Sequence, residues 1–334
     1  MRRLAREKPE NLKALFGNVS VKSGLAPAIV EKDFWVCLTL DYLFNDSPWR
    51  GRLAFKGGTS LSKAFNLIQR FSEDIDLILD WRLLGYGVDE PWQERSNTQQ
   101  DIFNEQANAR SADFLGREFV TELRRGLNTI VGGEMDIRID ASDPNTVVFA
   151  YPCAFADSSI LREIRIESGS LAAWTPAGNR TISPYAASYY PSLFSERETS
   201  VYTVDAERTF WEKVTILHRE AMRTGKQGPM PPRYSRHYYD LWSMYSNSVK
   251  ESALHDGSLL DAVVKFKSKF YRCKWARYEL ATMKSVRLVP PDAALSALEA
   301  DYEHMKNMIF GPKPPLDEML DTMSRLEDEI HAFA

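Results

Sequence analysis

The chain has 334 residues, enough for one large domain or two modest ones. Hydrophobic residues make up 44% and charged residues 26%, which is ordinary for a globular protein and excludes a disordered chain. The net charge of −4 argues against a protein that coats nucleic acid over its whole surface, although it leaves room for a local basic patch.

Cysteine usage and hydropathy indicate the compartment. Cys37, Cys153 and Cys273 are scattered and form no CxxC pair, which is typical of a reducing compartment and fits neither a disulfide framework nor a zinc site. The basic start of the chain lacks the continuous apolar core of a secretory signal. No stretch approaches the ~18 apolar residues of a membrane span. We therefore expect a cytoplasmic protein with no membrane partner.

The first third of the chain alternates predicted helices and short strands. Residues 8–46 carry apolar positions at helical spacing. RLAFKGG (52–58) predicts a short strand ended by glycine, and TSLSKAFNLIQ (59–69) predicts an amphipathic helix. DIDLILD (74–80) alternates as a strand does. The polar residues 82–128 predict an insertion with one or two helices.

Three strand-like runs follow: GEMDIRID, NTVVFAYPCAFA and LREIRIESGS. TISPYAASYYPSLF predicts an irregular connection, and the pattern is helical from Val204 to the end. The layout indicates an α+β fold. We expect N-terminal helices over 1–48, a mixed α/β core over 49–203 that contains the 82–128 insertion, and a helical C-terminal domain over 204–334.

Two carboxylates share one face of a predicted strand. Because residues i and i+2 of a strand point the same way, Asp74 and Asp76 project together. Carboxylates this close repel each other unless a cation lies between them, and Mg²⁺ prefers carboxylate and phosphate oxygens. The plainer alternative is that both aspartates flank a strand in solvent.

A glycine pair stands before the predicted helix. Gly57 and Gly58 allow the backbone to approach a ligand closely, and Thr59 and Ser60 add hydroxyl groups. A glycine pair alone is weak evidence for a binding site, since most such pairs only form turns. The order strand, GG-[ST], helix and then D-x-D on the next strand is far more specific. It favours a site for a nucleoside triphosphate (NTP) with Mg²⁺ or Mn²⁺.

These motifs resemble a known family. FKGGTSLSKAF and RFSEDIDLIL are similar to the AbiEii/AbiGii nucleotidyltransferase toxins, the toxin half of type IV toxin–antitoxin systems and relatives of the MenT toxins. IRIESG resembles the family's later strand with a third carboxylate. ERTFWEKVTILHRE resembles its lysine-bearing helix, and RHYYDLW resembles its R-D-x-Y-D element. His237 stands where many relatives have aspartate, while Asp240 is kept.

The resemblance implies a DNA polymerase β-like nucleotidyltransferase core with a mixed sheet. It also implies roles for individual residues. The metal ligands would be Asp74, Asp76 and Glu167. The catalytic residues would be Asp74, Asp76, Glu167, Lys213 and Asp240. The nucleotide would be bound by Gly57, Gly58, Thr59, Ser60, Arg70, Ser72 and Lys213.

The residues alone leave several alternatives open. For the third carboxylate, Glu167 has rivals in Glu163, Asp136 and Asp140, and only the family favours Glu167. Lys213 is otherwise a solvated lysine at the edge of an apolar helix face, and Asp240 a capping or salt-bridging residue. Arg70 either clamps a phosphate or pairs with Glu73 or Asp74.

By the same resemblance, the protein transfers a nucleoside monophosphate from NTP to the 3′ end of tRNA, which blocks aminoacylation and translation. A cognate antitoxin is the implied partner, and relatives are silenced by phosphorylation at a loop hydroxyl such as Ser72. Two other readings are a metal-dependent nuclease and a nucleotide-sensing module without turnover. The basic and aromatic residues 265–287 are either an RNA footprint or an amphipathic helical pair whose rings are core.

Overall fold

The computed structural model of the chain describes residues 1–155, 160–169 and 175–334. These form two compact units, and neither is one continuous piece of chain. The sheet unit is Met1–Ala64 with Ser72–Val204, and the helical unit is Phe65–Phe71 with Asp205–Ala334. The short segment Phe65–Phe71 therefore leaves the sheet unit and returns to it within the motif that carries the glycine pair and the aspartates.

Seven strands form one mixed sheet in the described part of the sheet unit. They are β1 (Leu53–Lys56), β2 (Ile75–Leu79), β3 (Asp136–Ile139), β4 (Thr146–Ala150), β5 (Ile164–Gly169), β6 (Ala177–Ile182) and β7 (Thr199–Val204). Their order across the sheet is β3-β4-β5-β2-β1-β7-β6. The pairs β2–β5 and β1–β7 run parallel and the other neighbours antiparallel. This topology places β1 and β2 at the centre of the sheet.

The helices of the sheet unit pack around this sheet. They are α1 (Pro9–Ser23), α2 (Pro27–Asp41), α3 (Gly57–Lys63), α4 (Asn97–Phe114), α5 (Val120–Val131) and α6 (Tyr185–Tyr189). Helix α2 is buried along almost its whole length and packs against α1, α6, β5 and β7. It begins with proline, whose missing N–H costs nothing in the first helical turn. Its mostly apolar sequence fits a place in the core, although it also carries the charged run Glu31–Asp33.

The helical unit is built around α7 and α8. Its helices are α7 (Ala206–Ala221), α8 (Ser235–Tyr245), α9 (Ser248–His255), α10 (Gly257–Phe270), α11 (Asp292–Met305) and α12 (Leu316–Ala332). Helix α7 packs against α8, α9 and α10, while α8 also packs against α11 and α12. The segment Phe65–Phe71 is held here by backbone hydrogen bonds, including one from Phe71 N to Met308 O at 2.7 Å.

The α+β fold with a mixed sheet and a helical C-terminal part is confirmed, and so are the predicted helices near the N-terminus. The three strand-like runs become β3, β4 and β5, although the run ends Ala156 and Ser170 lie outside the described residues. Residues 82–128 contain α4 and most of α5, which continues to Val131. No helix in the described ranges is long and apolar enough to cross a membrane.

Two predictions were wrong. The helix predicted over 59–69 ends at Lys63, because the following residues leave to pair with the chain near Ile309. The strands β6 and β7 were missed, since β6 overlaps the connection predicted to be irregular and β7 reaches into the region predicted as helical. Strand β6 lies at the edge of the sheet and is half-exposed. Its sequence AGNRTI therefore lacks the alternation of apolar residues by which a buried strand is recognised.

Candidate active site

The glycine pair forms the turn between β1 and α3. Gly57 has φ +83°, a left-handed conformation that favours glycine. A β-carbon built there would fall 1.9 Å from Asp76 Oδ2, so any side chain at this position would overlap the carboxylate. Gly57 is therefore fixed by its own backbone conformation and by the close approach of Asp76.

Pairing within the sheet determines the neighbours of Asp76. Its partner on β1 is Lys56 and its partner on β5 is Glu167, so the three residues form one row across adjacent strands. Asp74 comes directly before β2. Its carbonyl oxygen accepts a hydrogen bond of 2.5 Å from Thr59 Oγ1, which fastens α3 to the loop that carries Asp74. The sheet thus places Asp76 against the glycine turn and beside Glu167, with Asp74 two positions before Asp76 in the chain.

The hydroxyl groups predicted to bind nucleotide have local roles in the structure. Thr59 makes the bond to Asp74 just described, and Ser60 Oγ donates to Gly57 O at 2.9 Å. Both bonds shape the glycine turn. Ser72 is half-buried and is the first residue of the sheet unit after Phe65–Phe71.

The three rival carboxylates are engaged with arginines. Asp136 pairs with Arg138 at 2.7 Å, and Glu163 accepts from the same guanidinium at 3.3 Å. Asp140 lies 2.5 Å from Arg165 Nη1 and accepts from Ser142 N at 2.7 Å. The Ser142 hydroxyl and N–H, together with Arg165, hold the pKa of Asp140 well below its ordinary value. Each of the three rivals thus has an arginine partner, and Glu167 pairs in register with Asp76.

The carboxylates suit a metal ion that arrives with its substrate. Among the described residues, no three His, Cys, Asp or Glu side chains form a group that could hold a metal by themselves. Mg²⁺, however, is usually bound by one or two carboxylates together with substrate phosphates. Asp76 and its strand neighbour Glu167, with Asp74 two positions before Asp76, fit that mode of binding and do not form a preformed cage.

A second cluster lies in the helical unit, where two cations surround one carboxylate. Arg70 donates from Nε and Nη2 to the two oxygens of Asp240 at 2.7 and 2.8 Å. Lys213 Nζ lies 2.6 Å from Asp240 Oδ2. All three side chains are buried. The sequence predicted that Arg70 binds a phosphate or pairs with a nearby acid. In the structure Arg70 instead forms a bidentate pair with an acid far along the chain.

The charge of this cluster favours an anion. Burial alone raises the pKa of Asp240, but Arg70 and Lys213 outweigh burial and hold that pKa well below its ordinary value. Burial lowers the pKa of Lys213, an effect that Asp240 opposes. With both cations charged, the three side chains carry a net positive charge, which suits the binding of phosphate groups.

His237 borders the same cluster. It is buried, and its Nδ1 has no hydrogen-bond partner in the described structure. Burial lowers its pKa well below 6.5, and the charges of Lys213 and Arg236 lower it further, so the imidazole is neutral. A neutral His237 leaves the net positive charge of the cluster unchanged.

The basic stretch over residues 265–287 divides between core and surface. Phe266, Phe270 and Tyr278 are buried, and Tyr271 is 51% exposed. Its exposed cations are Lys265, Arg272, Lys274, Arg277, Lys284 and Arg287, and Lys267 and Lys269 are half-exposed. Most of the rings therefore pack inward, as in the helical alternative, while the cations form a solvent-facing surface.

Sequence reasoning missed the buried charges around the motif. Lys56 stands beside Asp76. In the sheet unit, Lys63 forms a buried ion pair with Asp33, and Lys32 forms one with Glu73. The available signal was the run Glu-Lys-Asp inside the otherwise apolar helix α2. Consecutive charges within a buried helix require partners, since an unpaired buried charge is costly.

Comparison with known proteins gives the family. The model of the nucleotidyl transferase AbiEii toxin family, of type IV toxin–antitoxin systems, matches residues 39–322. No curated protein matches the chain. Among solved structures, MenT4, a nucleotidyltransferase toxin from Mycobacterium tuberculosis H37Rv, has 17% sequence identity and a TM-score of 0.43, covering 95% of this chain and 98% of that one. The family match spans well over half of the sequence and does not depend on that likeness. The chain belongs to the AbiEii family of nucleotidyltransferase toxins of type IV toxin–antitoxin systems.

Proposed function

We propose that this protein is a metal-dependent nucleotidyltransferase that transfers a nucleoside monophosphate from NTP to the 3′ end of tRNA. The observation that carries the proposal is the contact between Gly57 and Asp76, with Glu167 beside Asp76 on the next strand. A glycine turn against a carboxylate pair supplies close backbone approach for phosphates and oxygen ligands for a divalent cation. A simple structural turn needs neither.

The residues of the sheet unit would bind and orient the triphosphate. Asp74, Asp76 and Glu167 would hold Mg²⁺ or Mn²⁺. When bound, the metal neutralises phosphate charge and lowers the pKa of the attacking 3′-hydroxyl. The backbone of Gly57 and Gly58 would bind the phosphates, with Thr59, Ser60 and Ser72 nearby. Attack of the 3′-oxygen on the α-phosphorus forms one P–O bond, breaks the bond to the β-phosphate and releases pyrophosphate.

The residues of the helical unit would bind negative charge. Lys213 would contact the phosphates, and Arg70 would add a second cation. Asp240 holds both cations in place by its three contacts of 2.6–2.8 Å. Because one carboxylate holds both cations in a fixed orientation, an anion can bind without either cation first having to change rotamer.

The biological consequence follows from the acceptor. Nucleotides added to the tRNA 3′ end block aminoacylation and thereby translation, which suits a toxin of this family. A cognate antitoxin is the expected partner, the cytoplasm the expected location, and the surface cations of residues 265–287 the proposed tRNA contact.

The deciding experiment incubates the purified protein with total tRNA and each α-labelled NTP, with Mg²⁺, Mn²⁺ or EDTA. We expect one or more nucleotides to label the tRNA 3′ end in the presence of metal. The Asp76→Asn variant should be folded and inactive. Cleavage of RNA without NTP would instead identify a nuclease. Binding of NTP without transfer to any RNA, protein or small-molecule acceptor would identify a sensing module.

A further inference from the structure

Three consecutive charged residues of α2 are buried in the sheet unit. Glu31, Lys32 and Asp33 are 1%, 0% and 2% exposed. They precede residues 39–322, which the family model matches. Each reaches a different segment of the unit. Glu31 accepts hydrogen bonds from the N–H groups of Ala154 and Phe155 at 2.7 and 3.2 Å, so it holds the chain after β4.

Lys32 reaches the loop that carries the aspartates. Its Nζ lies 2.8 Å from Glu73 Oε2 and donates to Leu161 O at 3.1 Å. Glu73 is buried and stands immediately before Asp74. Burial lowers the pKa of Lys32, and the Glu73 carboxylate opposes that effect. The loop before β2 is thus fastened to α2 by a buried ion pair next to a proposed metal ligand.

Asp33 reaches the helix on the other side of the motif. Its Oδ1 lies 2.6 Å from Lys63 Nζ at the end of α3, and its Oδ2 accepts from Tyr185 N at 2.6 Å. The Lys63 ammonium also lies 3.9 Å from the centre of the Tyr185 ring. Burial alone lowers the pKa of Lys63, but the Asp33 carboxylate outweighs burial and raises it. Helix α3, which starts at the glycine turn, is therefore fastened to α2 as well.

We propose that Lys32 and Asp33 are positioning residues of the transferase site, Lys32 setting the Asp74 loop through Glu73 and Asp33 setting the glycine turn through Lys63. The proposal rests on the proposed function, because it takes Asp74, Asp76 and the glycine turn as the site. Adjacent residues of one rigid helix hold both halves of the motif. The spacing between the carboxylates and the phosphate-binding turn is then fixed before any nucleotide binds.

The energetics of buried ion pairs support a positioning role over a purely stabilising one. Taking two charges out of water costs several kcal/mol for each ion, and replacing a buried pair with apolar residues is often neutral or stabilising. Pairs of this kind specify geometry better than they stabilise a fold. A misplacement of about 1 Å in an active site can cost a hundredfold in rate.

The test uses paired replacements, because a single replacement leaves one buried charge unpaired and risks unfolding. In Lys32→Met/Glu73→Met we expect a melting temperature near that of the parent, a kcat lower by between about tenfold and a hundredfold, and a higher Mg²⁺ concentration for half-maximal rate. The KM for tRNA should stay the same. In Asp33→Asn/Lys63→Met we expect a higher KM for NTP with the Mg²⁺ requirement unchanged.

A control pair and a nucleotide-free measurement complete the design. Lys250→Met/Glu329→Met removes a pair of 2.7 Å in the helical unit whose side chains are more exposed, at 10% and 36%, and it should leave kcat and the Mg²⁺ requirement at the parent values. Hydrogen exchange of the amides at 72–76 in the absence of ligand should accelerate in Lys32→Met/Glu73→Met and not in the control. This measurement needs no transferase activity, so it separates failure of this proposal from failure of the proposed function. Parent-like exchange at 72–76, or parent-like kcat and Mg²⁺ requirement in a folded double variant, would overturn the proposal.

Discussion

Gly57 and Asp76 touch each other so closely that no side chain can stand between them. A β-carbon on Gly57 would lie 1.9 Å from the carboxylate oxygen of Asp76 and 2.6 Å from its carboxyl carbon. The two residues lie on different elements, one at the start of α3 and one in β2. Their contact fixes the position of the carboxylate relative to the turn, and it leaves no room for a side chain at Gly57.

Replacing Gly57 with alanine should abolish transfer. Alanine would strain the backbone at φ +83° by about 1–2 kcal/mol and would also push Asp76 away from Glu167. Gly24→Ala is the matched control, because Gly24 has φ +75° with nothing within 4 Å of an added β-carbon. Both variants should lose stability in urea unfolding, Gly57→Ala at least as much as Gly24→Ala because of its added overlap with Asp76, and only Gly57→Ala should lose more than about a hundredfold in kcat. Equal activity in the two variants would contradict the assigned role of the contact.

Metal and nucleotide together should stabilise the protein more than either alone. Ligands that bind only the native state stabilise it by mass action, and the carboxylates are expected to share the metal with the triphosphate. Asp76→Asn should remove the metal-dependent rise in melting temperature while leaving the ligand-free melting temperature within a few degrees of the parent. A metal response in Asp76→Asn equal to that of the parent would remove Asp76 from the metal site.

A negative charge at Ser72 should silence the protein. A phosphate there adds about −1.5 to −2 charge one residue before Glu73 and two before Asp74. Ser72→Glu should lower transfer strongly, and Ser72→Ala only mildly. Ser324→Glu, at an exposed position of α12, controls for an added surface charge. Full activity in Ser72→Glu would argue against regulation at this hydroxyl.

Reversing charges in the basic stretch should weaken tRNA binding without affecting NTP. Lys267, Lys269 and Lys274 changed to glutamate should raise the KM for tRNA and lower the salt dependence of binding, because fewer phosphates are neutralised. Lys213→Ala should do the reverse, with tRNA bound and transfer lost. Reversal of Lys306 and Lys313 is the control outside the stretch. If it changes tRNA affinity as much as the triple variant does, the stretch is only a helical surface.

His237 should make the fold sensitive to mild acid. The unfolded chain takes up a proton at His237 as pH falls below 6.5, whereas the folded chain keeps this histidine neutral because its pKa is lowered. The unfolded state then binds more protons, so stability falls as pH falls, by about 1.4 kcal/mol between pH 7.5 and 5.5. Urea unfolding at the two pH values should show a loss smaller by about that amount in His237→Gln. His255→Gln, at an exposed position, should behave as the parent does.

Much of the site is local in sequence, and for that reason it could be predicted. The glycine turn, α3 and the D-x-D strand lie between residues 53 and 79, where each element's period is visible, although the sequence did not show that α3 ends at Lys63. The third carboxylate could not be chosen from residues alone. Glu167 meets Asp76 only through a parallel pairing of β2 with β5, and no local pattern specifies which strands become neighbours.

The partners of buried charges were also beyond sequence reasoning. Arg70 pairs with Asp240 across 170 positions of the chain, and Lys32 pairs with Glu73 across 41. Charge alone does not identify the partner when the chain has 46 acidic and 42 basic side chains. What the sequence could have shown is the need for partners, since Glu31, Lys32 and Asp33 interrupt a helix that is otherwise apolar.

The path of the chain through its two units has a practical consequence for anyone who wishes to divide this protein. The helical unit takes Phe65–Phe71 from the middle of the other unit's sequence, so no single cut yields two complete pieces. A fragment ending at Val204 would keep Arg70 and lose both Asp240 and Lys213, while its complement would hold an acid and a lysine without their arginine. Truncating the chain, splitting it into two fragments or exchanging a segment with a relative should therefore give a protein without the intact buried cluster when the break is at residue 204. Recombination that carries 65–71 together with 205–334 should preserve the buried cluster.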